Sequence, residues 1–376
     1  MSETITLLFV VALMGANSLL LSPLLPDVAA AFAVADGRVA IAMSVYGAAT
    51  AGSAFVLART VDRFGARRVL RVAAAIFAGA MALAATAPAL PQLIVAQGLA
   101  GLAAGVALPA AYGAASTSGG PKTLGRVMTG WSVAMVAAIP LGALATDLLG
   151  WRSPFVVLGL CAAALIVPLG ALPAGGDRAA APGPLAALRL GPVRWLLAGQ
   201  LFFSAGFYGA YALLGAAYRD AMGLSAGAMG ALVIAYGVGF AVASVGDGWM
   251  ARHRVAPPLA FALAGLTVAL LPAASSAFAA AALALFTWGV ANHLALTALV
   301  SRLSAAGGAA RGAALGLNTT ITYCGSGLGP LAAAALMGAG GFSWVALAAA
   351  SAHALAAVCL LWGSLTRPAA HPQPAS

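Results

Sequence analysis

Few side chains in this 376-residue sequence can carry charge or move a proton, and their positions along the chain give them their meaning. The eight acids are Glu3, Asp27, Asp36, Asp62, Asp147, Asp177, Asp220 and Asp247, and each stands at the end of an apolar run or between two runs. Inside the runs, the titratable group with a polar neighbour is His293, next to Asn292. Histidine changes charge most readily between about pH 5 and 8. His293 therefore has two readings: a proton-coupling or substrate-binding group, or a neutral imidazole hydrogen-bonded between helices. Hydrolytic chemistry would need convergent groups, and there is no HExxH, no GxSxG and no paired mid-run aspartate. No catalytic residues are expected, and the chain does not read as an enzyme. Cys161, Cys324 and Cys359 lack CxxC spacing and read as small packing residues, so neither a metal site nor a cofactor is expected. Gly325-x-Gly327-x-Gly329 lies inside an apolar run with no strand before it, and is not a nucleotide loop.

A second group of residues is polar but uncharged and sits in mid-run. In the first half of the chain these are Asn17, Ser18, Tyr46, Gln97 and Trp131. In the second half they are Gln200, Tyr208, Tyr211 and Tyr236, followed by Trp288, Asn292, His293, Asn318 and Thr322. Tyr208 and Tyr211 are three apart, and Asn318 and Thr322 four apart, so each pair shares a helix face. Any one of them is equally well explained by an interhelical hydrogen bond, worth about 0.6 kcal/mol in membrane bundles. Together they outline a neutral, aromatic-lined pocket for a small molecule.

The elements that hold these residues are set by composition. With 63% hydrophobic and 7% charged residues and a mean hydropathy of +1.02, no soluble fold could bury the apolar surface. Runs such as Val127–Thr146 are long enough as helices to cross about 30 Å of hydrocarbon. Only helices or closed barrels satisfy the backbone there, and unbroken runs favour helices. Breaks at Gly, Pro and charges predict twelve spans, at 5–31, 38–58, 69–88, 91–115, 127–149, 153–173, 194–218, 224–249, 256–273, 276–301, 312–337 and 342–365. With the N-terminus inside, fifteen of the eighteen cationic residues fall in inner segments; only Arg38, Arg152 and Arg219 lie outside. Lysine and arginine are retained on the cytoplasmic side, so both termini are expected there. The arginines are dispersed over several loops, which suits anionic membrane lipids and excludes a nucleic-acid partner.

The two halves of the chain resemble each other. Tyr46-Gly47 recurs as Tyr236-Gly237 and Pro140-Leu141 as Pro330-Leu331, both at an offset of 190 residues. The spacing predicts a six-helix unit over 1–173, a cytoplasmic linker over 174–193 rich in Gly and Pro, a second unit over 194–366 and a tail over 367–376. A parallel repeat of this kind places a substrate site near the membrane midplane between the units.

The stretch Asp62-Arg63-Phe64-Gly65-Ala66-Arg67-Arg68 resembles the signature loop between the second and third helices of major facilitator superfamily (MFS) transporters. Ala58 departs from it, standing where the pattern usually has Gly. Pro23-Leu24-Leu25-Pro26-Asp27, Gly101-Leu102-Ala103-Ala104-Gly105, Ile139-Pro140-Leu141-Gly142 and Gly150-Trp151-Arg152 resemble the twelve-helix bacterial drug and metabolite exporters of that superfamily. The resemblance implies an all-helical MFS fold of two pseudo-symmetric six-helix bundles in a bacterial inner membrane. It further implies a monomeric alternating-access exporter of a small organic compound, driven by proton antiport. In the loop, Asp62, Arg63, Gly65, Arg67 and Arg68 are implied to form a conformational switch, with Asp62 latching onto the start of the eleventh helix near Arg311-Gly312. Two family charges are missing: an acid in the first helix, aligned with Ser18, and an arginine in the fourth, aligned with Gln97. Their joint loss leaves no lone buried charge, but it weakens the proton-antiport expectation and admits an uncoupled facilitator or uptake permease.

Overall fold

The structure is a computed structural model that describes residues 2–57, 60–173, 184–245, 257–308 and 311–365. Its helices are α1 (Glu3–Phe32), α2 (Asp36–Val56), α3 (Ala66–Ala85), α4 (Leu90–Gly120), α5 (Lys122–Leu149) and α6 (Ser153–Leu169). In the second half follow α7 (Gly191–Met222), α8 (Ala226–Val245), α9 (Pro257–Ala274) and α10 (Phe278–Gly307). The last helix, Arg311–Leu365, is broken at Gly340 and Gly341, which divide it into α11 (311–339) and α12 (342–365). The described residues thus hold twelve apolar helical segments and no strand, in keeping with the number of apolar runs. The expected linker lies partly outside the described residues, as do Ala58 and Asp247, Arg252, His253 and Arg254; α7 begins at Gly191.

One end of the bundle is basic, carrying among the described residues Arg67, Arg68, Lys122, Arg126, Arg194 and Arg311. The opposite, far end carries Asp27, Asp36, Asp147 and Asp220 with Arg38, Arg152 and Arg219. Between α2 and α3 a five-residue helix, Thr60–Phe64, precedes Gly65, whose φ of 77° is one that glycine adopts readily. The side chain of Asp62 lies outside the described residues.

α3, α6, α9 and α12 lie on the outside, with leucines and valines such as Leu160, Val167, Leu266 and Leu361 exposed. Such surface suits lipid and not water. The two halves meet where α2 packs on α11, α8 on α5 and α1 on α7. These contacts carry the repeat into three dimensions. Gly47 lies against Ser326 and Gly327, and Gly237 against Met135 and Val136. Near the far end, Gly37 meets Ala334 and Gly227 meets Leu144. Adding 190 to Gly37 and Gly47 gives Gly227 and Gly237, and adding it to Leu144 and Val136 gives Ala334 and Ser326, so a glycine makes the equivalent contact in both crossings. Without a hydrophobic force between helices in lipid, close approach through small residues is what binds them.

A Cβ at Gly47 would come within 2.5 Å of the Gly327 amide nitrogen, a backbone atom that cannot step aside. Gly47→Ala is therefore expected to lower the thermal unfolding temperature of the detergent-purified protein, overpacking costing about 1–3 kcal/mol. Gly52→Ala, with nothing within 4 Å, should leave it unchanged. Equal melting of the two variants would contradict the contact.

Candidate functional site

Between the halves lies a cavity of about 570 Å³ lined by α1, α4 and α5 on one side and α7, α8, α10 and α11 on the other. Its exposed lining residues Met128, Thr129, Ser244 and Ser301 all sit near the basic end, so the cavity opens there. Toward the far end, Phe207 and Tyr236 form its ceiling, backed by Tyr211 and Trp288. In α5 the ladder passes through a π-turn at Ala134–Ala138, just before Pro140, which has no N–H to donate. Met135, in that turn, faces the cavity.

Above the ceiling the far end is shut by two contacts that cross between the halves. Arg219 of α7 grips Asp27 of α1 through Nη1 and, at 3.1 Å, through Nη2, and also donates to the Pro23 carbonyl at 3.0 Å. Asp147, at the end of α5, accepts from the Ala226 and Gly227 amides (3.0 and 2.8 Å) and from Ser225 Oγ (2.6 Å), capping α8. A carboxylate there satisfies amides that have no partner in the helix and meets its positive end. Deeper, the Ser22 carbonyl lies against Gly215, where a Cβ would collide with it.

Of the expected cavity residues, Trp131, Gln200, Tyr208, Tyr236, Asn292, His293, Asn318 and Thr322 line the space. Six others do not. Asn17 and Gln97 are spent on each other, Asn17 Nδ2 donating to Gln97 Oε1 at 2.8 Å. Ser18 donates back to the Gly15 carbonyl at 2.7 Å, so the partner of Gln97 is Asn17, one residue from the position aligned with the family acid. Tyr46 donates to the Met14 carbonyl at 2.9 Å and stands behind Tyr323. Tyr211 and Trp288 are buried behind the ceiling, one turn beyond the residues that form it.

Phe203, Phe207, Phe240, Tyr112 and Met135 also line the cavity, and nothing in the sequence marks them for it. In an apolar run, an aromatic facing a pocket looks the same as one facing lipid. His353 packs behind the site, its Nδ1 2.7 Å from the Ala349 carbonyl and its ring against Phe203.

The described lining contains no Asp, Glu, Lys or Arg. His293 sits against the Phe240 ring, at 4.7 Å between centroids, with Nε2 3.2 Å from Thr297 Oγ1 on the same helix. Trp131 Nε1 donates to the Tyr112 hydroxyl at 2.9 Å. Gln200 Nε2 donates to Thr322 Oγ1 at 2.7 Å, and Asn292 Nδ2 to the Tyr236 hydroxyl at 3.2 Å. Among the described residues, Gln200 Oε1, Asn292 Oδ1, Asn318 Oδ1 and the Tyr323 hydroxyl have no partner. A buried acceptor left so costs about 1–3 kcal/mol.

The sequence profile of the Major Facilitator Superfamily matches residues 7–308. The chain is 28% identical over 307 residues to the uncharacterized MFS-type transporter YwfA of Bacillus subtilis, covering 77% of this chain and 74% of that one. It is 29% identical over 265 residues to the chloramphenicol resistance protein of Streptomyces lividans, covering 67% of each. Among solved structures, the human organic anion transporter MFSD10 (TETRAN) matches with a TM-score of 0.70 at 18% identity, over 95% of this chain and 99% of that one. A bacterial homolog of the human lysosomal transporter Spinster, inward-facing and occupied, matches with a TM-score of 0.70 at 13% identity, over 96% and 94%. At such identities the two structures speak for the fold alone.

The Asn17–Gln97 bond can be tested by putting charge into it. Asn17→Asp and Gln97→Arg are each expected to cut the yield of folded protein, an unpaired buried charge costing about 3–5 kcal/mol. The double variant should recover much of that loss. Singles that behave as wild type would show that the pair is not buried together.

Proposed function

We propose that this chain, which belongs to the Major Facilitator Superfamily, is an alternating-access transporter that exports a small, uncharged, amphipathic organic compound. The observation that carries this reading is a charge-free cavity between the two halves, open at the basic end and shut at the far end by contacts that both cross between halves. Substrate enters from the basic end, which faces the cytoplasm of a bacterial cell by the retention of arginine on that side. Release requires Asp27–Arg219 and Asp147–α8 to part while α4 and α5 close on α10 and α11 near the basic end. A packed interface of small residues suits such a change, because it has two discrete arrangements and does not deform continuously.

The chain acts as a monomer in this reading, with membrane lipids around it. Its loop of Asp62, Arg63, Gly65, Arg67 and Arg68 latches one arrangement at the basic end. The cavity favours neutral cargo, because a charge would enter a space whose described walls offer no counter-charge. Export is favoured by the kinship with the chloramphenicol resistance protein.

Proton antiport is assigned to His293, the titratable side chain of the described lining other than tyrosines. An uncoupled facilitator is the second reading, favoured by the absence of a carboxylate from that lining.

The test is flux in proteoliposomes with chloramphenicol as the first probe. An inward proton gradient should speed export at least several-fold in wild type, and His293→Gln should remove that dependence while flux down a substrate gradient persists. Flux indifferent to the gradient in wild type would establish the facilitator instead. In the same vesicles Asp62→Asn should lose most of the flux at unchanged expression. Wild-type turnover in that variant would retire the latch.

A further inference from the structure

The polar chemistry of the cavity is divided unevenly between the halves. On the N-terminal side its buried polar atoms are paired within the protein: Trp131 with Tyr112, and behind the wall Asn17 with Gln97. The rest of that side is apolar but for Thr129, whose hydroxyl donates to the Arg126 carbonyl at 2.7 Å, and the half-buried Ser132. On the C-terminal side, Gln200, Asn292 and Asn318 each line the cavity and carry a buried amide oxygen that has no partner among the described residues, as does the Tyr323 hydroxyl.

The orientation of Gln200 follows from its neighbours. Thr322 donates its single hydroxyl proton to the Asn318 carbonyl at 2.8 Å, so its oxygen must accept from Gln200. The NH₂ end of Gln200 therefore faces Thr322, and Oε1 is left as the acceptor. The last torsion of an Asn or Gln side chain is soft, so a small turn presents these oxygens to a bound molecule. Carbonyl oxygens accept and never donate. They call for hydroxyl or N–H groups on the ligand.

We infer that the cavity binds an uncharged aromatic compound carrying several hydroxyl or amide N–H donors. The donors are received by Gln200, Asn292 and Asn318 on α7, α10 and α11, and the aromatic body lies against Trp131, Met135 and Tyr112 of the N-terminal half. This rests on the transport reading for the site and adds to it a ligand class and an orientation. The polar head rides with one half and the apolar body with the other, so parting the halves weakens binding on one side at a time.

The test uses the full-length purified protein and a panel of uncharged aryl alcohols, aryl amides and aryl glycosides. Each is paired with its O- and N-methylated counterpart, and tetraphenylphosphonium and naphthalene sulfonate are added as charged probes. Binding is read by thermal shift and by quenching of tryptophan fluorescence, Trp131 being in the wall. Donor-bearing members are expected to bind at least tenfold more tightly than their methylated partners and than either ion. Gln200→Met and Asn318→Leu should each weaken that binding by about tenfold. Asn318→Leu should leave the melting temperature of the empty protein unchanged, because replacing an unsatisfied acceptor with an apolar side chain of like shape costs little, whereas Gln200→Met also gives up the bond to Thr322 and should lower it slightly.

Equal binding of methylated or charged probes, or no binding by any donor-bearing member, would overturn the assignment. So would variants that melt earlier while binding as wild type, which would place the amides in packing. Tight, donor-dependent binding with no flux in vesicles would leave the ligand assignment standing and remove the transport reading alone. Flux of a charged probe would do the reverse.

Discussion

Hydrocarbon offers no partner to a polar group, and that one constraint arranges the rest of this molecule. Among the described residues, charges are confined to the two ends, where water or headgroups meet them. Between the ends, helices approach through glycine and alanine, and most polar side chains are tied to each other or to backbone carbonyls. The bonds of Asn17 with Gln97, Tyr46 with Met14 and Ser18 with Gly15 are of this kind. Of the ties left open, those at Gln200, Asn292 and Asn318 belong to side chains that line the cavity, while those at Ser44, Tyr211 and Trp288 lie within packing.

The same constraint explains how the halves can be held yet remain separable. Their central crossings are close contacts at Gly47 and Gly237, held by van der Waals packing without a hydrophobic force. Specific bonds across the halves sit at the far end, where Asp27 and Arg219, and Asp147 and the start of α8, can exchange one another for water. The repeat is imperfect at that point. Residue 337, the counterpart of Asp147, is Met337, so the start of α2 has no carboxylate to cap it from α11, and its N-cap Ala35 makes no side-chain bond. One crossing is locked by charge and its twin by packing alone.

Much of this was legible in the residues. Apolar runs and their breaks mark the helices, because the length needed to span hydrocarbon leaves little freedom. The 190-residue echoes at Tyr46-Gly47 and Pro140-Leu141 mark the repeat, and the structure returns them as paired crossings. The helix ends were less legible: α10 runs on to Gly307, past its apolar run, since a helix does not stop where hydrocarbon does. Mid-run polarity pointed to Gln200, Tyr208, Asn292 and Asn318, which reach the cavity, and equally to Asn17 and Gln97, which do not. Whether a polar side chain is already satisfied depends on a partner 80 residues away, and no local pattern carries that. Phe203, Phe207 and Phe240 give no contrast against an apolar background.

The central claim is that the two ends open in turn. It is tested most directly by spin-label distances in lipid, one pair at Thr86 and Ser276 across the far end and another at Thr117 and Ala305 across the basic end, all four exposed. Introducing Arg219→Ala should lengthen the far-end distance and shorten the basic-end distance within the same sample. A far-end distance that stays fixed, or two distances that lengthen together, would contradict it.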